Sequence, residues 1–359
     1  MEERILKKTA VFIMVLSMIT CAALPFFPKI EPKLKEWMTS GDKEQMQLEE
    51  IMQKLSEKEL LAYYNRQEKQ AAKELVLAGK LRLQLPFGVS GSDLEMSADY
   101  VSRKISVRIP YAGEDYLHEY SITGKEDHLE RITYESQQKY GVLEVITDQV
   151  FEITSEFDED YFYLDFLTPH EVYDKVVVID AGHGGEDAGT VKQGIHEKDV
   201  DLDILLKLKE IIDASGDASL GFYYTRTEDV ALSEAQRAEI ANKTGADLFV
   251  SIHNNSTPSG KMSNINGTQA MYDETDETGA GLAQIFLEEV TALTGSSNKG
   301  IAAERGTNLL QSCTMPAVIV EAGFMTNEAE LNLLCTEEYQ IKVAQGIYQA
   351  ILRALSNTL

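Results

Sequence analysis

The chain has 359 residues, 43% of them hydrophobic and 26% charged, a globular composition long enough for about two domains and a sizeable core. Its formal net charge of −26 excludes nucleic acid as a main partner, because phosphate binding depends on clustered Lys and Arg. Three cysteines, Cys21, Cys313 and Cys335, are too few for a disulfide framework and lack the paired spacing of a structural zinc site, so Cys313 and Cys335 read as small core residues.

In chain order, Arg4, Lys7 and Lys8 precede an uncharged, mostly apolar run from Thr9 to Phe27. This pattern marks residues 1–28 as a signal peptide or as a membrane anchor with its N-terminus in the cytoplasm. Small residues at Cys21-Ala22-Ala23 offer a cleavage point, yet the run approaches the ~20 residues that span a bilayer, which favours the anchor. Everything after Lys29 is then expected outside the cytoplasm, in the cell envelope or secreted. Residues 29–79 are rich in Lys, Glu and Gln, with Leu48, Ile51, Met52 and Leu55 at helical spacing and a capping box from Ser56 to Glu59. They predict a helical stalk or short coiled coil that self-associates through residues 31–79.

Over residues 80–170 the period changes to two. Leu81, Leu83 and Leu85 alternate with polar residues, as do Ile105, Val107 and Ile109, and further strand-like runs follow at Val142 to Ile146, Val150 to Ile153 and Tyr161 to Leu167. A small β domain is the simplest account, with Tyr161, Phe162, Tyr163 and Phe166 as core rather than as a glycan-stacking surface. Residues 174–357 alternate strand and helix: apolar runs at Val176 to Ile179, Leu248 to Ile252 and Ala317 to Val320 are separated by amphipathic segments at about 204–212, Ala235 to Thr244, Gly281 to Leu293 and Glu337 to Leu355. The expected class is α/β, a mainly parallel central sheet flanked by helices in a phosphorylase/hydrolase-like arrangement.

Each apolar run delivers a chemically useful side chain at its carboxyl end, where open α/β sheets bind ligands. The first ends in Ala181-Gly182-His183-Gly184-Gly185, the second in His253-Asn254-Asn255, the third in Glu321. Glu197 lies in a connection just before the first helix. Two histidines and two glutamates are the parts of a mononuclear hydrolytic zinc site, with three ligands, an open position for water and a carboxylate beside it as general acid/base. On this reading His183, Glu197 and His253 are ligands and Glu321 is the acid/base. Spacing alone also admits plain structural roles: a turn-capping His183, a Glu197 at a helix N-terminus, a Glu321 paired with a basic residue, or His196 in place of Glu197. Asn254, Asn255 and the Gly184 and Gly185 amides could bind substrate or brace an oxyanion.

The stretches "VVVIDAGHGGEDAG", "EKDVDLDILLKL", "YTRTEDVALSEAQRAEIANKTGADLFVSIHNN", "NGTQAMY" and "MPAVIVEAGFMTN", in this order, resemble the zinc-dependent N-acetylmuramoyl-L-alanine amidases, cell-wall hydrolases of the AmiC and CwlV type. The resemblance implies one zinc ion held by His183, Glu197 and His253, Glu321 as the essential acid/base, and peptidoglycan as substrate. The bond cut would be the amide between N-acetylmuramic acid and L-alanine. Arg226 and Arg237 resemble family positions read as structural, holding loops and helix ends, whereas Arg305, from its place just before the apolar run and Glu321, is read as the contact for a substrate carboxylate. The family usually has Pro at positions 181 and 188 and Asn at 201, where this chain has Ala181, Ala188 and Asp201. It also implies that the β domain occupies the place of a small wall-targeting sandwich, sometimes called AMIN. Some members carry an inserted plugging helix after the "GTQAMY"-type strand, for which Asp273 to Thr278 leaves no room. The rival readings are a zinc peptidase acting on stem peptides and a non-catalytic peptidoglycan-binding protein.

Overall fold

The computed structural model describes residues 80–124, 127–304 and 308–356. The expected anchor, Cys21, the stalk and Arg305 lie outside the described residues. Among the described residues no helix is long and apolar enough to cross a membrane.

Residues 81–167 fold into two antiparallel four-stranded sheets. One contains β1 (Leu81–Gln84), β4 (Ile122–Thr123), β7 (Glu152–Phe157) and β8 (Tyr161–Leu167); the other contains β2 (Glu95–Asp99), β3 (Lys104–Pro110), β5 (Leu129–Gln137) and β6 (Tyr140–Thr147). The alternation read in the sequence is the inward face of this sandwich: Leu81, Leu83, Ile105, Val107, Ile109, Leu143, Val145 and Leu164 form one core. Phe162 and Tyr163 are buried while Tyr161 and Phe166 are only half-buried. Val150 precedes its strand rather than opening it, and β2 and β5, more polar, had no clear signal.

The second body is built on a six-stranded sheet in the order β12-β9-β13-β16-β14-β15. Its strands are β9 (Lys175–Ala181), β12 (Leu220–Tyr224), β13 (Leu248–Asn255), β14 (Thr268–Asp273), β15 (Asn298–Glu304) and β16 (Ala317–Phe324). All neighbours are parallel except β14 against β16. The apolar runs of β9, β13 and β16 occupy adjacent central positions and are buried on both faces, which is why they lack alternation. On one face α1 (Glu197–Ser215), α3 (Gly279–Thr294) and α6 (Glu337–Ser356) enclose the larger core, with Ile204, Leu205, Leu208, Phe286 and Ile347 inside it. On the other lie α2 (Glu234–Thr244) and α4 (Asn308–Ser312). The expected core role fails for Cys335, which is exposed after α5 (Glu328–Leu334); Cys313 is partly buried, and burial pushes its thiol up to about 12.

Both bodies belong to one compact unit, Leu77–Leu359. Strand β12 is a sheet edge, and the sandwich covers its end: Tyr100 Oη donates to the Tyr224 carbonyl (2.9 Å) and accepts from the Tyr224 amide (3.0 Å), with the Tyr100 ring edge-on to Tyr223. Arg103 donates to Glu239, the Val150 amide to the Lys243 carbonyl and Tyr223 Oη to Glu152. Replacing Tyr100 by Phe leaves both Tyr224 backbone groups without this partner. The expected cost is about 1–3 kcal/mol, measured by urea denaturation of the two proteins.

Candidate metal centre and active site

The carboxyl ends of β9, β13 and β16 lie side by side, and the register sets His253 directly opposite Glu321. Beyond β9 the chain turns through His183 (φ 57°), Gly184 (φ 125°) and Gly185 (φ 57°). A positive φ at a histidine is uncommon and needs support from its surroundings. The flanking glycines are required for space. A Cβ at Gly182 would run into the His253 ring, and one at Gly189 into His183 and Glu197.

Glu197 is the first residue of α1, reached by a hairpin of β10 (Val191–Lys192) and β11 (Ile195–His196). It is buried, and its Oε1 lies 3.1 Å from both His183 Nε2 and His253 Nδ1. The other oxygen accepts from the Thr190 amide at 2.8 Å, and the Asn254 amide reaches Oε1 at 3.2 Å. His183 Nδ1 faces Asp187 Oδ2 at 2.8 Å, an outer contact that orients the ring and leaves Nε2 toward Glu197. His183, Glu197, Asp201 and His253 each present a ligand atom, all within 4.8 Å of one another.

The electrostatics favour positive charge at that point. Burial opposes a charged His183, but Glu197 and Asp187 outweigh it and raise the ring to about 9. Glu197 is itself held well below the usual carboxylate range, because the two imidazoles more than offset its burial. Burial, then the charge of Glu197, raises Asp201 well above its ordinary value. Burial likewise pushes Glu321 up to about 7; Glu197 and Glu304 act the same way and the imidazoles oppose them. Glu321 Oε2 is buried and has no hydrogen-bond partner among the described residues. His183, His253, Glu304 and Glu321 line a cleft of about 290 Å³ with Asp187, Leu232, Glu234, Arg237 and Met271. A donor set of two imidazoles and carboxylates converging beside a water-accessible cleft fits a hydrolytic divalent metal.

The N-acetylmuramoyl-L-alanine amidase family model matches residues 177–353. The germination-specific N-acetylmuramoyl-L-alanine amidase of Bacillus subtilis is 30% identical over 194 residues, covering 50% of this chain and 79% of that protein. The chain belongs to this amidase family. The Bacillus subtilis amidase LytC is 32% identical over 49% of this chain and 35% of its own. The solved catalytic domain of CwlV from Bacillus (Paenibacillus) polymyxa is 35% identical, covers 51% of this chain and 98% of that one, and has a TM-score of 0.47.

His196, the alternative to Glu197, turns away to Asp199 at 3.3 Å. The suggested oxyanion amides are engaged elsewhere: Gly184 donates to the Asp187 carbonyl and Gly185 to Asp229 Oδ1. Asn255 is also committed, donating to Gln269 Oε1 at 3.0 Å and accepting from the Ser256 amide, so it braces the strand ends rather than presenting a free group. Asn254 points the other way, to Asp201. The sequence reading missed Asp187 and Asp201 as site residues. Asp201 had a signal, since it lies one turn after Glu197 on the same helix face; Asp187, in a turn, had none.

Two buried arginines hold the histidine turn from behind. Arg226 donates to the carbonyls of Ala181, Gly182, Lys198 and Glu228. Arg237 donates to the carbonyls of Ala181, His183 and Leu232 and pairs with fully buried Asp180 at 2.5 Å. Asp180 also accepts from Thr225 and Ser251. Its burial alone would raise the carboxyl, but Arg237 and the two hydroxyls more than offset it and leave the pKa below its ordinary value. A folded-state pKa below the unfolded one stabilises the native protein above about pH 4, and that contribution is lost as pH falls toward the depressed value. Asp180→Asn strands the Arg237 charge and is expected to cost about 3–5 kcal/mol at neutral pH. Urea denaturation across pH 3 to 7 should show the penalty shrinking on the acid side.

Proposed function

We propose that His183, Glu197 and His253 hold one zinc ion and that Glu321 is the acid/base with which this amidase cleaves the bond between N-acetylmuramic acid and the stem-peptide L-alanine. The convergence of both imidazoles on Glu197 Oε1, with Glu321 opposite His253 in the register, carries this reading. When bound, zinc supplies a Lewis acid for the amide carbonyl and a water of lowered pKa.

The chain's own residues do the rest. Asp187 fixes the His183 ring, and Gly182 and Gly189 leave room for both imidazoles. Glu321 has an oxygen without a hydrogen-bond partner among the described residues and a carboxyl pushed up to about 7, so it takes a proton from the attacking water and returns it to the departing amine. One C–O bond forms, the C–N bond breaks, and the L-alanine amine leaves with the proton.

Around this centre we assign residues 1–28 as signal or anchor, 29–79 as a helical stalk that self-associates through residues 31–79, 80–170 as a wall-targeting sandwich and 174–357 as the catalytic domain, acting on the outer side of the membrane. Arg305 is proposed to contact a substrate carboxylate. Mass spectrometry of peptidoglycan digested with residues 29–359 tests the chemistry. Stem peptides with a free L-alanine amine are expected, lost with a chelator and restored by zinc. Glu321→Ala should lower kcat by ~10²–10⁴-fold while bound zinc is unchanged. Shortened stems still attached to glycan would instead make the enzyme a peptidase, and no product under any metal condition would leave a binding role.

A further inference from the structure

We propose that Asp201 is a fourth protein ligand of the metal centre, which makes the donor set two imidazoles and two carboxylates. The inference rests on the metal reading above. Asp201 lies one turn beyond Glu197 on the same face of α1, and its side chain is 0% exposed. A carboxylate oxygen of Asp201 is within 4.8 Å of the ligand atoms of His183, Glu197 and His253.

Its two oxygens differ. Oδ1 accepts from Asn254 Nδ2 at 2.7 Å, while Oδ2 is buried with no hydrogen-bond partner among the described residues. A buried carboxylate oxygen without a donor is costly, and a cation satisfies it. Asn254 ties the group together. Its side chain anchors Asp201, its backbone amide reaches Glu197 Oε1 at 3.2 Å, and its chain neighbour is His253. An Asn at position 201 offers an amide to the ion's place, where Asp offers a carboxylate oxygen. With water retained, a fourth protein ligand raises the coordination number above four and suits metals that accept five or six oxygen and nitrogen donors.

The test is metal affinity of the full chain purified in detergent, measured for Zn²⁺ and Co²⁺ by competition with a chromophoric chelator. Wild type, Asp201→Asn and His183→Ala are compared, with circular dichroism of each metal-free form. Asn preserves the volume and can accept from Asn254, so the fold is expected to persist. Asp201→Asn should weaken Zn²⁺ by ~10–100-fold, the range of supporting groups or more, and should intensify the visible Co²⁺ absorption as the ligand count falls. Equal affinity and an unchanged spectrum in Asp201→Asn, with His183→Ala impaired, would overturn the Asp201 assignment alone. Failure of wild type to bind either ion would overturn the metal reading with it. If Asp201→Asn does not fold, the zinc-soaked wild-type crystal decides: an Asp201 oxygen at ~2.0–2.2 Å from the ion supports ligation, and one beyond van der Waals contact rejects it.

Discussion

The site depends on a buried guanidinium pair behind the first strand. Arg226 and Arg237 take up the carbonyls of Ala181, Gly182 and His183 where β9 leaves the sheet, and Asp180 neutralises Arg237 from inside. A chain leaving a central strand at a histidine with φ 57° has no ladder to satisfy its carbonyls. The arginines provide that satisfaction with rigid planar donors, which a lysine could not match. The backbone of His183 is therefore held by the arginines, while Asp187 at Nδ1 sets the ring and leaves Nε2 toward Glu197.

Parallel register does the second part of the work. With β13 between β9 and β16, residues more than sixty positions apart arrive at one edge at the same height. The register slips between His253 and Asn255, with one extra residue on β16 just past Glu321. Asn254 faces the helix and Asn255 faces β14, so two consecutive asparagines brace different walls of the same site.

Much of this was legible in the residues. Uninterrupted runs such as Val176 to Ile179 marked the central strands, and their carboxyl-terminal His183, His253 and Glu321 marked the edge where chemistry collects. Glu197 was legible as a partner and as a residue at the start of the first helix; the hairpin that brings it there was not, because its strands have only two residues each. Edge strands β12 and β15 carried weak patterns, since one side of each faces solvent or the sandwich. The roles of Asp187, Asp201 and Asn254 depend on which way short side chains point, which periodicity does not encode. Arg226 and Arg237 were read as structural, but their convergence on three successive carbonyls is visible only in three dimensions.

Tyr100 has a consequence for how the enzyme meets an insoluble polymer. Its hydroxyl replaces a missing strand at the edge of the sheet, serving one donor and one acceptor of the same residue, and Arg103 and Val150 add contacts along α2. A hinge here would have to expose those backbone groups. The hydrogen bonds of Tyr100, Arg103 and Val150 therefore oppose a hinge between the sandwich and the cleft. Any reorientation of the sandwich against the cleft must first break the Tyr100 joint, so a change at this residue, far from the metal centre, is felt as a change in presentation rather than in chemistry.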